Sequence, residues 1–172
     1  MKLQETDREF METFERFAFD EVVHEEGQEL DDQTRYMAIL SALIGCQGKE
    51  AFQMILPKAL EAGVTPVMVK EIVYQSVDYV GFGRMLPFLE ITNQVLEEGG
   101  IPLPLENQGT TTAENRLEKG AEAQAEIFGE QMKEAWKAGH INRWLAANCF
   151  GDYYTRKGLD LAQREMITFC FL

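Results

Sequence analysis

The stretch Leu30-Asp31-Asp32-Gln33-Thr34-Arg35-Tyr36-Met37-Ala38-Ile39-Leu40 decides the fold, because the chain writes much of it a second time as Leu159-Asp160-Leu161-Ala162-Gln163-Arg164-Glu165-Met166-Ile167-Thr168-Phe169. Both copies carry Leu-Asp, an Arg four residues after the Asp and a Met two residues later, followed by an apolar run. Each is preceded by an element that opens on Phe, Phe19-Asp20-Glu21-Val22-Val23 in the first copy and Phe150-Gly151-Asp152-Tyr153-Tyr154 in the second. In the run from Asp32 to Ile44, Met37, Ile39, Leu40, Leu43 and Ile44 make a helix apolar nearly all round, the pattern of a helix buried among others. The first copy continues through about two more helical segments. The second stops at Phe169-Cys170-Phe171-Leu172.

Working outward, the periodicity predicts helices throughout and no strand. Thr6-x-x-Glu9 and Thr111-x-x-Glu114 read as capping boxes, and Asp160-x-x-Gln163 caps the last helix. After a break at Gly45–Gly48, a helix through Phe52, Ile55, Leu56 and Leu60 is expected to kink or split at Pro57 and to stop at Gly63. Thr65-Pro66 opens the next helix, with Thr as N-cap and Pro where a missing N–H costs little. Tyr79-Val80-Gly81-Phe82-Gly83 breaks it, and Leu86–Glu97 forms another amphipathic helix. Residues 99–111, rich in Gly and Pro, are the one convincing linker. A long helix is expected from there to about Ala138, then a short one through Trp144. This organisation divides the chain into a first repeat over 1–98, a linker over 99–111 and an incomplete second repeat over 112–172.

The bulk composition narrows the function. A chain of 172 residues holds one ordinary core or two small half-cores. Its net charge of −13 repels polyphosphate, so nucleic acid is excluded as a partner. No apolar run reaches the roughly 18 to 20 residues that span a bilayer, which excludes the membrane, and the amino terminus turns acidic at once rather than reading as a signal peptide. Three cysteines, Cys46, Cys149 and Cys170, are too few and too scattered for a disulfide framework and point to a reducing cytoplasm. His24 lacks a second His at helical spacing, so neither a metal nor another cofactor is expected.

The run from Leu30 to Leu96 resembles the carboxymuconolactone decarboxylase family. The likeness is carried by Leu-Asp-x-x-x-Arg, the apolar helix, Lys58-Ala59-Leu60-Glu61-Ala62-Gly63-Val64-Thr65, Val69-Lys70-Glu71-Ile72-Val73 and Tyr79-Val80-Gly81-Phe82-Gly83. From Glu114 onward the chain is similar to the family's other half, through Asn115-Arg116-Leu117-Glu118-Lys119-Gly120, Ile127-Phe128-Gly129 and Gly151–Asp160. The resemblance implies the all-α bundle shared with the alkylhydroperoxidase D type, and assembly into dimers, trimers or hexamers. In a full tandem a further helix pair would follow the second apolar helix. The chain is therefore expected to be a truncated product, a cleaved chain or an incomplete version of one.

Two chemistries follow from that resemblance. A peroxidase of this type uses Cys-x-x-Cys with a His shortly after, a thiolate attacking peroxide and its neighbour resolving the sulfenic acid. The corresponding stretch, Gly45–Met54, offers Cys46 alone and no His; for the decarboxylase, Met54 or Ile55 stands where the family often has a His before the Ala-Leu-x-x-Gly element. A decarboxylase needs a cation for a carboxylate and a group to move a proton. Arg35 and Arg84 are the substrate-binding candidates, since a guanidinium grips both carboxylate oxygens. Glu71, Tyr79 and Cys46 are the catalytic candidates, for a small-molecule substrate that is an organic acid or a peroxide. Each has a plainer reading beside it: Arg35 paired at its helix start, Glu71 ion-paired, Tyr79 anchoring a turn, Arg84 at a subunit interface and Cys46 packed. The alternative to an enzyme is a catalytically silent member that binds a small organic acid or serves as an assembly subunit.

Overall fold

The computed structural model describes residues 3–27 and 29–172, and no strand occurs among them. The chain is all-α. Its contacts divide it into two compact units, Met1–Asp31 and Asp32–Leu172. Met1, Lys2 and Gln28 lie outside the described residues, so the acidic reading of the first positions is followed structurally only from Leu3.

In the first unit, α1 (Leu3–Thr6) leads into α2 (Arg8–Arg16), which continues as a π-helical turn over Phe17–Glu21 and a 3-10 turn over Val22–His24. The expected box at Thr6 and Glu9 does not form. Asp7 takes the N-cap position without a side-chain cap, and the Thr6 hydroxyl bonds the Asp7 carboxylate at 2.6 Å instead. Thr6 is the last residue of α1, so Asp7 rather than Thr6 stands at the start of α2. Phe10 and Phe14 stack with ring centroids 6.4 Å apart, and His24 Nδ1 donates to the Asp20 carbonyl at 2.8 Å.

The second unit begins with α3 (Asp32–Gly45), α4 (Lys49–Glu61), α5 (Pro66–Gln75), α6 (Val77–Val80) and α7 (Phe82–Glu98). Thr65 caps α5 by accepting from the Met68 N–H at 3.2 Å. Pro57 does not split α4, which runs unbroken across it. The residue costs one backbone bond, and Phe52, Leu56 and Ala59, all fully buried, hold the helix on both sides of the gap. Helix α7 starts at Phe82, four residues earlier than expected, because Gly81 alone makes the turn at φ 82°. The core gathers Met37, Leu40, Ile44, Phe52, Ile72 and Phe88, with the rings of Phe52 and Phe88 edge to face at 5.1 Å.

After an irregular segment, α8 (Arg116–Phe128) is followed by a 3-10 stretch over Glu130–Ala138, α9 (His140–Trp144), a π-helical stretch over Leu145–Tyr154 and α10 (Leu161–Phe171). The single long helix expected to Ala138 is interrupted at Gly129, φ 102°. Its start also moves: Asn115 is the N-cap and its carboxamide accepts from the Thr112 N–H at 2.7 Å, so the box at Thr111 and Glu114 is replaced by a turn. The box at Asp160 forms in full, with the Gln163 N–H on Asp160 at 2.8 Å and the Asp160 N–H on Gln163 at 3.0 Å. Helix α8 lies so close to the π-helical stretch that a Cβ on Gly120 would sit 1.7 Å from the Ala146 carbonyl oxygen. Helix α10 packs against α3, the helix whose sequence it repeats.

Candidate functional site

Helix α5 is buried on almost every side, with Met68, Val69, Ile72 and Val73 in the core. Its polar residues therefore need partners inside the protein. Glu71 and Gln75, one helical turn apart, face the second Leu-Asp-Arg element and find them there. The Glu71 carboxylate, 1 % exposed, accepts from Arg156 through Nε at 2.9 Å and Nη2 at 2.9 Å, and from Arg164 Nη2 at 3.1 Å. Arg164 is wholly buried; its Nη1 donates to Gln75 Oε1 at 2.8 Å and its Nη2 to the Arg156 carbonyl at 2.8 Å. Its Nε has no partner among the described residues. Burial lowers the pKa of Arg164 and the Glu71 charge opposes that.

The polar chain continues inward. Gln75 Nε2 donates to Thr168 Oγ1 at 2.9 Å, which lies 2.8 Å from the Tyr154 hydroxyl. That hydroxyl is 3.1 Å from the Tyr79 hydroxyl, itself 3.6 Å from Cys149 Sγ. Burial first, and the Asp78 charge second, push the Cys149 thiol up to about 12. Burial likewise raises the phenols of Tyr79 and Tyr154. These groups hold their protons at neutral pH.

Outward from Glu71 opens a cleft of about 420 Å³. Lys70, Tyr74 and Arg156 line one side, Asn93 and Glu97 of α7 another, and the irregular segment 103–108 a third. Arg156 reaches it because the chain turns sharply at Gly158, φ 94°, where a Cβ would meet Val67 at 2.7 Å. Two cations lie over the Tyr74 ring, Lys70 Nζ 5.8 Å and Arg156 Cζ 5.4 Å from its centroid. Lys70 is only 7 % exposed and its Nζ donates to the Asn93 carboxamide oxygen. Burial lowers its pKa, and the Glu97 charge acts the other way.

Of the residues singled out from sequence, Glu71 lines this cleft and Tyr79 joins it through the buried chain. Cys46, Arg35 and Arg84 do not line it. Cys46 is exposed beyond α3, its thiol directed at the Leu43 carbonyl at 3.7 Å. Arg35 pairs with Asp32 on its own helix, and Arg84 is exposed on the first turn of α7. Lys70, Tyr74, Arg156 and the pairing of Arg164 were not singled out as site residues. Their signal was the set of polar residues one turn apart, Lys70 with Tyr74 and Glu71 with Gln75, on a helix otherwise too apolar to face water. Among the described residues no group of His, Cys, Asp or Glu is arranged to hold a metal ion, and no helix is long and apolar enough to cross a membrane.

No curated protein matches the chain. The model of the carboxymuconolactone decarboxylase family matches residues 8–94, a span that contains α2 to α7 up to Gln94 and with it the Lys70, Glu71, Tyr74 and Asn93 side of the cleft. With half of its length matched, this chain belongs to the carboxymuconolactone decarboxylase family.

Proposed function

We propose that the chain is a small-molecule enzyme of the decarboxylase/peroxidase group that takes a small organic acid into the cleft between Lys70 and Arg156. The observation that carries this reading is the pair of cations over the Tyr74 ring in a cleft of about 420 Å³. Lys70 and the uncommitted Nη1 edge of Arg156 suit a carboxylate, and Val67, Leu103 and Pro104 suit a short carbon skeleton. The decarboxylase side is favoured over the peroxidase side, because Cys149 is held as a thiol near pKa 12 and Cys46 has no resolving cysteine within a turn.

A second reading, a silent organic-acid binder or assembly subunit, is favoured by Glu71 being committed to two arginines, which leaves it no free edge as a base. Calorimetry with succinate and with a lactone carboxylate, alongside CO₂ detection, separates the two. Binding with CO₂ release supports the enzyme; binding alone supports the silent member; no binding in wild type, or equal binding in Arg156→Gln, removes the cleft as the site. We also propose self-association into a dimer, trimer or hexamer, with Phe82 and Phe169, 61 % and 81 % exposed, as contact residues. A monomer by light scattering at micromolar concentration would refute it. The three free thiols are consistent with a reducing cytoplasm.

A further inference from the structure

We propose that Lys70 is an amine nucleophile that forms a Schiff base with the ketone of a small 3-oxo acid whose carboxylate rests on Arg156. This rests on the reading of the cleft as an organic-acid site and adds a covalent step and a substrate class to it.

Two features of Lys70 set it apart. It lines an open cleft although it is 7 % exposed, so its amine is reachable by a small molecule but poorly hydrated. Its hydrogen-bond partner is the neutral carboxamide of Asn93, which accepts one N–H without demanding a full charge on the amine. In the same cleft Arg156 lies over the same Tyr74 ring and supplies a fixed cation for a substrate carboxylate. Desolvation is one means by which a lysine becomes a nucleophile near neutral pH. Glu97 lines the cleft as well and favours the charged form, yet burial outweighs it.

The carboxylate site is complementary. Glu71 takes Nε and Nη2 of Arg156, which leaves Nη1 for a ligand. Because Glu71 already shares the guanidinium charge, Nη1 orients a carboxylate without holding it strongly as it becomes neutral.

The chemistry balances without an oxidant or reductant. The neutral Lys70 amine adds to the ketone carbon, and the carbinolamine takes up a proton from solvent and loses water to give an iminium. The bond between the carboxyl carbon and the adjacent carbon then breaks, its electron pair moves toward the iminium nitrogen, and CO₂ leaves. The enamine takes a proton on carbon from solvent, and water hydrolyses the iminium to release a ketone and restore Lys70. The proton taken up at dehydration is returned when the iminium is hydrolysed, and the sum is 3-oxo carboxylate plus a proton giving ketone plus CO₂.

The test uses the full chain with 3-oxobutanoate as probe. After borohydride reduction at neutral pH, intact mass and peptide mapping should find the reduced, decarboxylated adduct on Lys70, and Lys70→Arg should lose both the adduct and CO₂ release. An adduct spread equally over exposed lysines such as Lys49 and Lys119, or one that persists in Lys70→Arg, overturns the proposal. So does wild-type protein that binds succinate by calorimetry but gives no adduct, in which case the cleft reading stands alone. Absence of both binding and adduct overturns both. The decisive mapping is on the wild-type chain, so misfolding of a variant does not blur the outcome.

Discussion

Arg164 and Glu71, 93 residues apart in the chain, meet at 3.1 Å with neither more than 1 % exposed. One comes from the second Leu-Asp-Arg element and the other from the helix pair that follows the first. The contact ties α5 to α10 through a buried charge. Removing one member of such a pair leaves the other charge without compensation, and the loss is typically about 3–5 kcal/mol. Glu71→Ala, which strands the buried Arg164, should lower the unfolding free energy by about that amount in urea titrations, and Arg164→Met by less, because Glu71 keeps its bonds from Arg156. A double substitution of both residues should cost less than the sum. Losses under about 1 kcal/mol for both single variants would mean the pair does not hold α5 to α10.

The cysteines should separate by reactivity. Cys46 is exposed, whereas Cys149 is buried with its thiol pushed up to about 12. Only the thiolate is alkylated, and at pH 8 a thiol of that pKa is ionised in roughly one molecule in ten thousand. Iodoacetamide followed by peptide mapping should find Cys46 modified first and Cys149 modified only in denaturant. Equal rates in the native protein would contradict the packing around Tyr79 and Tyr154.

Glycine substitutions should act in opposite directions at two positions. A Cβ on Gly120 would fall inside the Ala146 carbonyl, so Gly120→Ala must force α8 away from the π-helical stretch, at a cost of about 1–3 kcal/mol or more. Gly83, in the first turn of α7, has nothing within 4 Å of its would-be Cβ, and Gly83→Ala should stabilise by about 0.4–1 kcal/mol through the unfolded chain. Thermal melts of the two variants check the contrast. A neutral Gly120→Ala would show that the two segments can part freely.

Lys70 should leave a signature in the pH dependence of stability. Its folded pKa is lowered by burial from 10.5, so the folded state binds the proton less well than the unfolded state. The burden is fully present below the folded pKa and is relieved as pH rises from there to the unfolded value. Lys70→Met should therefore be more stable than wild type at neutral pH, with the difference shrinking toward pH 10. A difference that grows with pH would reverse the sign and show that Asn93 and Glu97 hold the ammonium more strongly than burial opposes it.

How much of this was legible beforehand differs from element to element. The sequence by itself determined the helical class, the caps at Thr65 and Asp160 and the family, because capping, proline placement and apolar period act within a few residues along the chain. It also marked Arg164 as the repeat of Arg35. It was misleading at Thr6 and Thr111, where a nearby Asp or Asn takes the N-cap position instead. It was misleading again at Pro57, where packing on both sides outweighed one lost hydrogen bond. Only the tertiary structure decided that Arg164 crosses to Glu71 while Arg35, its counterpart in the first element, pairs with Asp32. Only the tertiary structure brought Lys70, Tyr74, Asn93 and Arg156 around one cleft, because that meeting depends on the turn at Gly158 and the course of 103–108. Short-range propensity has no knowledge of which distant backbone will arrive beside it. The burial of a charge does, and it is satisfied by whatever partner the fold delivers.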